Sequence, residues 1–357
     1  MGSATAWQLA HQGKEVAVLE QFGLAHNRGS SHGSTRIFRL SYRTSLYTDL
    51  AARALTDWRE LEADANQKLL EQNGQLDHGY QEAIDEIAAS LDRHNRPYER
   101  MNASEAHARW PGMNFEDYVI YSPDGGRCFA DETVTTLINR SKELGAQVHF
   151  DTPALSVELD GNFAIVETAN QTWRTPSLVV AAGAWVDKLI GNIVKLPDLI
   201  VDAGQPAHFQ PIASLAAESY WPSFLHHGAN GRGGSPLEAS AYGVYSPGEG
   251  FKVGTWSDRK AIDPDNRDFA ISQHHLSEMK EYVSHWFPGL AVDSAVATTC
   301  LFTNTPEEDF ILDRRGPITV CSPCSGHGFK FVPTIGKIAA ELALGGQQST
   351  PQWQLPA

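Results

Sequence analysis

A loop of small residues near the N-terminus carries two arginines whose spacing suits anion binding. Arg36 and Arg39 follow the segment 29–35, which runs Gly-Ser-Ser-His-Gly-Ser-Thr. A guanidinium group pairs with a carboxylate or a phosphate through two parallel hydrogen bonds, so this loop could hold either anion. Two ordinary surface arginines would give the same pattern, and the loop alone does not decide between these interpretations.

A second segment with chemical potential lies near the C-terminus. The turn 325–328, Ser-Gly-His-Gly, stands between an apolar strand at 318–320 and a helix predicted over 333–344, and Lys330 follows it directly. A glycine-containing turn before a helix presents backbone N–H groups to a ligand, and a lysine beside it adds a fixed positive charge. This segment also predicts an anion-binding site.

The chain contains four cysteines, which are Cys128, Cys300, Cys321 and Cys324. So few cysteines in a long chain do not form a disulfide framework, and they indicate a reducing, cytoplasmic setting. The Cys321-Ser-Pro-Cys324 pattern could be a redox dithiol or half of a zinc site, but no second pair accompanies it. We interpret these two thiols and Cys128 as packing residues, and we predict no metal.

The first twenty residues predict a helix followed by a strand. Apolar residues recur at helical spacing up to Gly13, and the short apolar run 16–19 ends in Glu20. In a dinucleotide-binding unit, a glycine-rich turn opens such a helix and an acidic residue after the second strand binds the ribose. Gly2 and Glu20 suit those positions, although an unrelated helix and strand would have the same pattern.

The remaining elements alternate between helices and strands, as in an α/β fold. Helices are predicted over 46–61, 81–94, 133–144 and 276–287, and strands over 148–150, 156–167, 178–182, 242–245 and 251–256. The strand at 178–182 ends in a small-residue turn at Gly183, where backbone could approach a ligand. A glycine-rich loop covers 228–234.

Composition excludes several function classes. The 357 residues carry a formal net charge of −15, which argues against a protein that follows nucleic-acid phosphates. The longest apolar run, 178–186, is far shorter than the roughly 18–20 residues of a membrane helix, and the N-terminus does not resemble a signal peptide. The sequence therefore predicts a soluble, cytoplasmic protein of about two domains.

Five motifs, taken together, resemble one family. The chain is similar to monomeric sarcosine oxidases and N-methyltryptophan oxidases, which are covalent flavoenzymes within the D-amino-acid-oxidase-like group. The resemblance rests on motifs that occur in family order: Ser31-His-Gly-Ser-Thr-Arg-Ile-Phe-Arg39, Ala182-Gly-Ala-Trp185, Phe251-Lys-Val-Gly254, Cys300 with Pro306-Glu-Glu-Asp-Phe-Ile-Leu-Asp313, and Ser325-Gly-His-Gly-Phe-Lys330.

The resemblance implies two interleaved domains. A Rossmann-like FAD-binding domain would comprise residues 1–74, 134–200 and 300–357. A substrate domain built on a mixed sheet would comprise residues 75–133 and 201–299. The resemblance also implies a monomer that acts on a small amine and on O₂.

Roles for individual residues follow from the same resemblance. Cys300 would hold the flavin through a thioether to its 8α position, and Arg36 would lie against the isoalloxazine ring. Arg39 and Lys330 would bind the substrate carboxylate, while Lys252 would activate oxygen. His327 would lie against the flavin and hydrogen-bond to it, which is a better interpretation than an essential base. The full set expected to contact FAD is Gly2, Glu20, Ser31, His32, Arg36, Gly183, Trp185, Cys300, Gly326, His327, Gly328 and Lys330.

Two departures from the family pattern are visible. The first strand and the opening glycines of the dinucleotide motif are absent before Met1, so we expect a chain that is truncated or that starts at an internal methionine. Trp256 and Phe302 stand where well-known members carry histidine and tyrosine. The scaffold is expected to persist, while the substrate stays open.

The expected reaction is oxidation of a secondary N-methyl amino acid by O₂ to the demethylated amino acid, formaldehyde and hydrogen peroxide. One alternative is an oxidase or dehydrogenase of another amine, such as a cyclic imino acid or a glycated amino acid. The other alternative is a truncated, non-catalytic chain that cannot retain FAD.

Overall fold

The computed structural model describes residues 1–217, 220–228, 235–255 and 260–357. Most of the predicted glycine-rich loop, residues 229–234, lies outside the described residues, and so does Trp256. No helix in these described ranges is both long enough and apolar enough to span a bilayer.

Helices and strands alternate along the described chain. The α-helices are α1 (Gly2–His11), α2 (Ser45–Ala65), α3 (Gln81–Arg93), α4 (Ala103–Arg109), α5 (Ala130–Glu143), α6 (Val186–Ile190), α7 (Gln273–Trp286) and α8 (Val332–Ala343). The strands are β1 (Ala17–Leu19), β2 (Thr35–Phe38), β3 (Leu70–Glu71), β4 (Gln75–Gly79), β5 (Glu99–Asn102), β6 (Tyr118–Ser122), β7 (Gly126–Phe129), β8 (Gln147–His149), β9 (Ser156–Asp160), β10 (Phe163–Glu167), β11 (Thr172–Thr175), β12 (Leu178–Val180), β13 (Ile200–Gly204), β14 (Ala207–Pro211), β15 (Ser223–His227), β16 (Ala241–Ser246), β17 (Gly250–Thr255), β18 (Leu290–Ala297), β19 (Cys300–Asn304), β20 (Ile311–Arg315) and β21 (Ile318–Ser322).

The largest sheet has eight strands in the order β18-β14-β17-β16-β15-β4-β6-β5. Its neighbours are antiparallel except at the junction of β15 with β4, which is parallel. Smaller sheets contain the parallel pairs β1 with β8 and β12 with β21. Parallel pairs next to helices, together with a large mixed sheet, confirm the predicted α/β fold.

One hydrophobic core lies among α1, α2, α5 and α8. The helices α1 and α8 approach closely because Gly336 faces Ala4, and a Cβ at Gly336 would come within 2.7 Å of the Ala4 Cβ. Trp58 of α2 is fully buried in this core, and its indole N–H donates to the Lys330 carbonyl at 2.7 Å. Core packing thus fixes the backbone at Lys330.

A second core lies on one face of the eight-stranded sheet. Helix α7 covers that face with Tyr282 and Trp286, which pack near Phe224 and Phe251 from the sheet. Because side chains alternate between the two faces of a strand, the neighbours of these core residues must point to the opposite face. Lys252 lies next to Phe251, so it points away from α7.

The strands of the eight-stranded sheet all lie within the two ranges predicted for the substrate domain. Strand β7 also lies in those ranges, yet it pairs with β2 and β3 from the predicted FAD-binding part. The domain division stays a prediction. The pairs β1–β8 and β12–β21 belong to separate sheets.

Candidate active site

Two positive side chains share one backbone carbonyl. Lys252 Nζ and Arg36 Nη1 each donate to the Thr35 carbonyl oxygen at 2.8 Å. Lys252 is only 7% exposed. Burial, and then the nearby Arg36 charge, lower the pKa of Lys252 to about 7. Strand β17 therefore places a cation that titrates near neutral pH beside the arginine loop.

Arg36 also organises the small-residue loop that precedes it. Its Nη2 donates to the carbonyls of Ser30, at 2.7 Å, and His32, at 2.5 Å. The Cys300 sulfur lies 4.0 Å from the same Nη2 and 3.9 Å from the Ser30 carbonyl oxygen. Cys300 is half-buried and free. The structure thus brings the predicted flavin residues Arg36 and Cys300 together.

A second cation pair surrounds Tyr42. The Arg39 guanidinium carbon lies 3.7 Å from the centre of the Tyr42 ring, and Lys330 Nζ lies 5.7 Å from it. Lys330 is 5% exposed, and its ammonium donates to the His327 carbonyl at 2.7 Å. Burial, followed by the Arg39 charge, holds the pKa of Lys330 well below its ordinary value.

The His327 ring makes hydrogen bonds within the protein. Nδ1 lies 3.2 Å from the Tyr42 hydroxyl and Nε2 lies 3.1 Å from the Glu308 carbonyl oxygen. The ring also stacks on Phe310 with a centroid distance of 4.8 Å. Burial, with the Lys330 charge adding to it, lowers the pKa of His327 to about 3. Both ring nitrogens therefore already have partners.

The turn that carries His327 requires glycine. A Cβ at Gly328 would lie 1.6 Å from the Pro323 carbonyl oxygen, which no side chain tolerates. Ser325 and Gly326 have φ angles of 46° and 75° in the left-handed region. This tight turn leads directly into Lys330 and α8, so the local sequence positions the cation.

The residues predicted to bind the nucleotide lie at two places. Gly2, at the start of α1, faces Ala181 after β12, and a Cβ on Gly2 would come within 3.3 Å of the Ala181 Cβ. Gly183, in the same turn as Ala181, has a φ of 53°. Glu20 follows β1 and accepts a hydrogen bond from the Phe22 N–H at 2.9 Å. The Trp185 indole N–H donates to Asp265 at 2.6 Å.

His32 in the arginine loop is half-buried, and its buried Nε2 atom has no hydrogen-bond partner among the described residues. Burial, and then the Arg36 charge, lower the pKa of His32 to about 3, so its ring is neutral. Ser31 beside it is exposed. An unpartnered buried nitrogen costs free energy, and a bound ligand that hydrogen-bonds to it would relieve that cost.

Arg36, Arg39, Lys252 and Lys330, here called the cationic cluster, stand out in an acidic protein. In the part of the chain that the structure describes, none of the four has a carboxylate within ion-pair distance, and main-chain carbonyls hold them instead. A carbonyl orients a cation without cancelling its charge. The cluster therefore creates a positive field in a partly buried region, which is suited to anionic ligands.

Cys321 and Cys324 are free thiols. Burial raises the pKa of both thiols, and raises that of Cys321 to about 12. Protonated thiols are poor nucleophiles and poor metal ligands. Packing is thus the better interpretation of this pair.

Tyr42 joins the site through its ring, over which the Arg39 guanidinium lies. It was not among the predicted site residues, although an aromatic residue three positions after Arg39 is a usable signal for a stacked guanidinium. Phe302 on β19 places its ring against Gly204, where a Cβ would come within 2.2 Å of the ring.

A family model described as "FAD dependent oxidoreductase" matches residues 1–342. The chain belongs to this family. Its curated relatives include the monomeric sarcosine oxidase of Streptomyces avermitilis, which is 30% identical over 98% of this chain and 93% of the relative. The human peroxisomal sarcosine oxidase is 29% identical over 99% and 91% of the two chains. The N-methyl-L-tryptophan oxidase of Salmonella heidelberg is 26% identical over 99% and 94%.

Solved structures share the same fold. A variant of NikD, described as an unusual amino acid oxidase of nikkomycin biosynthesis, gives a TM-score of 0.86 at 23% identity and covers 99% of this chain and 94% of that chain. L-proline dehydrogenase from P. horikoshii gives 0.81 at 20% identity, with 98% and 92% covered. The family and these relatives confirm the predicted resemblance, and they make the protein a flavin-dependent amine oxidoreductase.

The residues present fit FAD. An anionic dinucleotide needs hydrogen-bond donors and a close approach to the main chain. The cationic cluster and the unpartnered His32 nitrogen can supply the donors. Gly2, close to the turn after β12, allows the approach. Helix α1 also directs its N-terminal N–H groups to this region.

Proposed function

We propose that the protein oxidises a secondary N-methyl amino acid with O₂ and releases the demethylated amino acid, formaldehyde and hydrogen peroxide. The observation that carries this proposal is the pair of cations, Arg39 and Lys330, beside Tyr42 in a chain related to sarcosine oxidases over its whole length. When bound, FAD would accept the hydride from the N-methyl carbon and pass its electrons to O₂.

Arg39 and Lys330 are proposed to bind the substrate carboxylate. Neither cation has a carboxylate of this chain to neutralise it in the described ranges, so both are available to an anionic ligand. Lys330 is buried in low-dielectric surroundings, where binding an anion restores its charged form. The two groups would orient the N-methyl carbon.

Lys252 is proposed to stabilise negative charge that develops on O₂ as it is reduced. A buried ammonium held at a fixed position does this well because little reorganisation is needed. Its neighbour Arg36 would lie against the flavin ring, and the shared Thr35 carbonyl would keep both cations on one side of it.

Cys300 is proposed to attach the flavin through a thioether to its 8α position. Support comes from the position of its half-buried sulfur beside Arg36 and the 30–36 loop. The other proposed flavin contacts are Gly2, Glu20, Ser31, His32, Gly183, Trp185, Gly326, Gly328 and Lys330. His327 stays among the proposed contacts, as the residue that lies against the flavin.

We also propose a monomeric, cytoplasmic enzyme with the two domains given above. The four cysteines of the chain are free, as expected in a reducing compartment. Several relatives are named monomeric sarcosine oxidases.

The deciding experiment combines cofactor and product measurements. The purified protein is expected to be yellow, to keep its colour in an acid precipitate, and to show an intact mass increased by one FAD. Cys300→Ser should release the flavin into the supernatant, while the control Cys324→Ser should retain it. Formaldehyde and peroxide should appear in equal amounts with an N-methyl amino acid.

Other outcomes would redirect the assignment. A colourless protein that cannot be reconstituted with FAD would support the non-catalytic alternative. A yellow protein that releases peroxide only with a cyclic imino acid or a glycated amino acid would support the second enzyme class. The observation that admits this second class is the departure at Trp256 and Phe302 from the histidine and tyrosine of well-known family members.

A further inference from the structure

The eight-stranded sheet places Asp77 on the same face as Lys252. Along the register, Gly254 of β17 pairs with Tyr242 of β16, Tyr242 pairs with Leu225 of β15, and Leu225 pairs with Asp77 of β4. Paired residues share a face, and Gly254 shares a face with Lys252 because the two are two positions apart. Asp77 therefore points to the side that carries the candidate active site.

Asp77 forms a pair with His227 on this face. The His227 Nε2 atom lies 3.0 Å from Asp77 Oδ1, and His227 lies two positions after Leu225 on β15. Asp77 is fully buried, and its Oδ2 atom has no hydrogen-bond partner among the described residues. The His227 side chain is 16% exposed, so the pair has an approach from outside. A buried carboxylate oxygen without a donor is costly, and a ligand N–H would satisfy it.

Asp77 also influences Tyr42, the residue that contacts Arg39 and Lys330. Burial, and then the negative charge of Asp77, raise the pKa of Tyr42 to about 12 against the opposing charge of Arg39. Tyr42 carries Arg39 on its ring, with Lys330 nearby. Asp77 thus lies within electrostatic range of Tyr42, whose ring contacts the cations proposed to hold the carboxylate.

The residues adjacent to this pair on the same two strands, His78 and His226, have a structural role. His78 and His226 point to the opposite face, where their rings stack with a centroid distance of 4.4 Å. Nδ1 of His226 lies 2.8 Å from the Tyr282 hydroxyl of α7. These two histidines belong to the core, whereas Asp77 and His227 face the active site.

Distance decides which part of a substrate could reach Asp77. Lys252 and Asp77 are three strands apart, which corresponds to about 14 Å between their backbones. The reacting carbon must lie near the flavin, on the Lys252 side. Asp77 therefore suits the far end of an extended side chain better than the reacting amine.

We propose that Asp77 and His227 form a subsite for a second, positively charged group, so that the preferred substrates are N-methyl amino acids whose side chain ends in an ammonium or guanidinium group. The inference rests on the proposed function and narrows its substrate class. The carboxylate of Asp77 would accept hydrogen bonds from the cation, and His227 would hold that carboxylate in position through Oδ1.

The test compares two substrates of nearly equal shape, Nα-methyl-L-lysine and N-methyl-L-norleucine. For the native enzyme, kcat/KM should be roughly tenfold to a hundredfold higher with the lysine derivative, as one charge-assisted hydrogen bond provides. Asp77→Asn should bring the two values within about threefold by lowering only the value for the lysine derivative. Asp77→Glu should keep part of the preference, and the exposed Asp117→Asn should keep all of it.

Two results would overturn the subsite. One is a native enzyme with no preference for the basic substrate, and the other is a preference that Asp77→Asn leaves unchanged. If Asp77→Asn loses its flavin or its cooperative thermal transition, His227→Gln takes its place with the same expectation.

The subsite can also be tested if neither compound is oxidised, since binding can be measured without turnover; the proposed function alone is rejected if no N-methyl amino acid is oxidised. The shift in the thermal midpoint on adding each compound is then measured. Greater stabilisation by the lysine derivative in the native protein, absent in Asp77→Asn, supports the subsite. Equal stabilisation by both compounds rejects it.

Discussion

The cationic cluster and the Asp77–His227 pair are built in opposite ways. Each cation of the cluster is held by a main-chain carbonyl, and for Arg36, Arg39 and Lys330 that carbonyl lies within a few residues in sequence. Asp77 is held by a side chain that is 150 residues away and reaches it through strand pairing. The cations are oriented by uncharged carbonyls and have no carboxylate partner among the described residues, whereas the buried anion depends on one imidazole.

The comparison distinguishes two kinds of contact in this protein, which are local contacts to the main chain and a long-range contact between side chains. Three of the four cations, Arg36, Arg39 and Lys330, are positioned by local backbone geometry. The fourth, Lys252, reaches the Thr35 carbonyl from 217 residues away. The feature that we propose to select the substrate rests on a long-range contact between two side chains. Single substitutions can test the effect of each kind of contact on activity separately.

The largest effect is expected from Lys252→Met, which removes the buried charge but keeps its volume. Reoxidation of the reduced flavin by O₂ should slow by about a hundredfold to a thousandfold, because one preorganised electrostatic group is lost. Anaerobic reduction by substrate should change little. Stopped-flow measurement of both half-reactions checks this, and an equal loss in both would contradict the assigned role.

Arg39→Ala and Lys330→Ala come next. Each removes one charge-assisted hydrogen bond to the carboxylate, so kcat/KM should fall by roughly tenfold to a hundredfold. The loss should be the same for basic and neutral substrates, in contrast to the loss in Asp77→Asn. Steady-state kinetics with the matched pair of substrates measures the fall in kcat/KM. An unchanged KM for every substrate would reject the proposed binding of the carboxylate by Arg39 and Lys330.

Much of the cationic cluster was predictable because its signals are local. Arg36 and Arg39 stand in one loop, and Lys330 follows a glycine turn whose shape the sequence dictates. The helices and strands also followed from periodicity, as for α2, α7 and β21. The α/β fold and the family were both confirmed.

Other features were beyond the sequence for physical reasons. The partners of the His327 ring, Tyr42 and the Glu308 carbonyl, come from separate segments. The shared Thr35 carbonyl depends on how β17 meets β2. Asp77 and His227 give no signal until the register of β4 against β15 is known, since a shift by one residue would turn both to the other face. The assigned site roles stay predictions.

A smaller effect is expected from pH. Because the pKa of Lys252 is lowered to about 7, this side chain is charged below that pH and neutral above it. The rate of flavin reoxidation should therefore fall as pH rises through about 7, by up to tenfold per unit. Oxygen reactivity measured between pH 6 and 9, with Lys252→Met as the flat control, tests this; a rate that rises with pH would contradict it.

The smallest effect is expected from Thr35→Val. The Thr35 hydroxyl bonds with the Ser246 hydroxyl at 2.6 Å, and its loss should lower the free energy of unfolding by about 1 kcal/mol. Lys252 and Arg36 bind the main chain, so oxygen reactivity should stay unchanged. Denaturant unfolding and stopped-flow kinetics measure the two quantities, and a large fall in reactivity would show that the hydroxyl matters.

The parallel junction between β4 and β15 has a consequence for folding order. Strands 75–79 and 223–227 must meet across a long intervening chain, whereas β15, β16 and β17 are consecutive in sequence and adjacent in the sheet. Contacts of such high sequence separation form late, because the entropy of closing the loop is lost before the contacts repay it. We therefore expect the Asp77–His227 pair to assemble after the local carbonyl contacts of Arg36, Arg39 and Lys330, and together with the equally long-range contact between Lys252 and the Thr35 carbonyl.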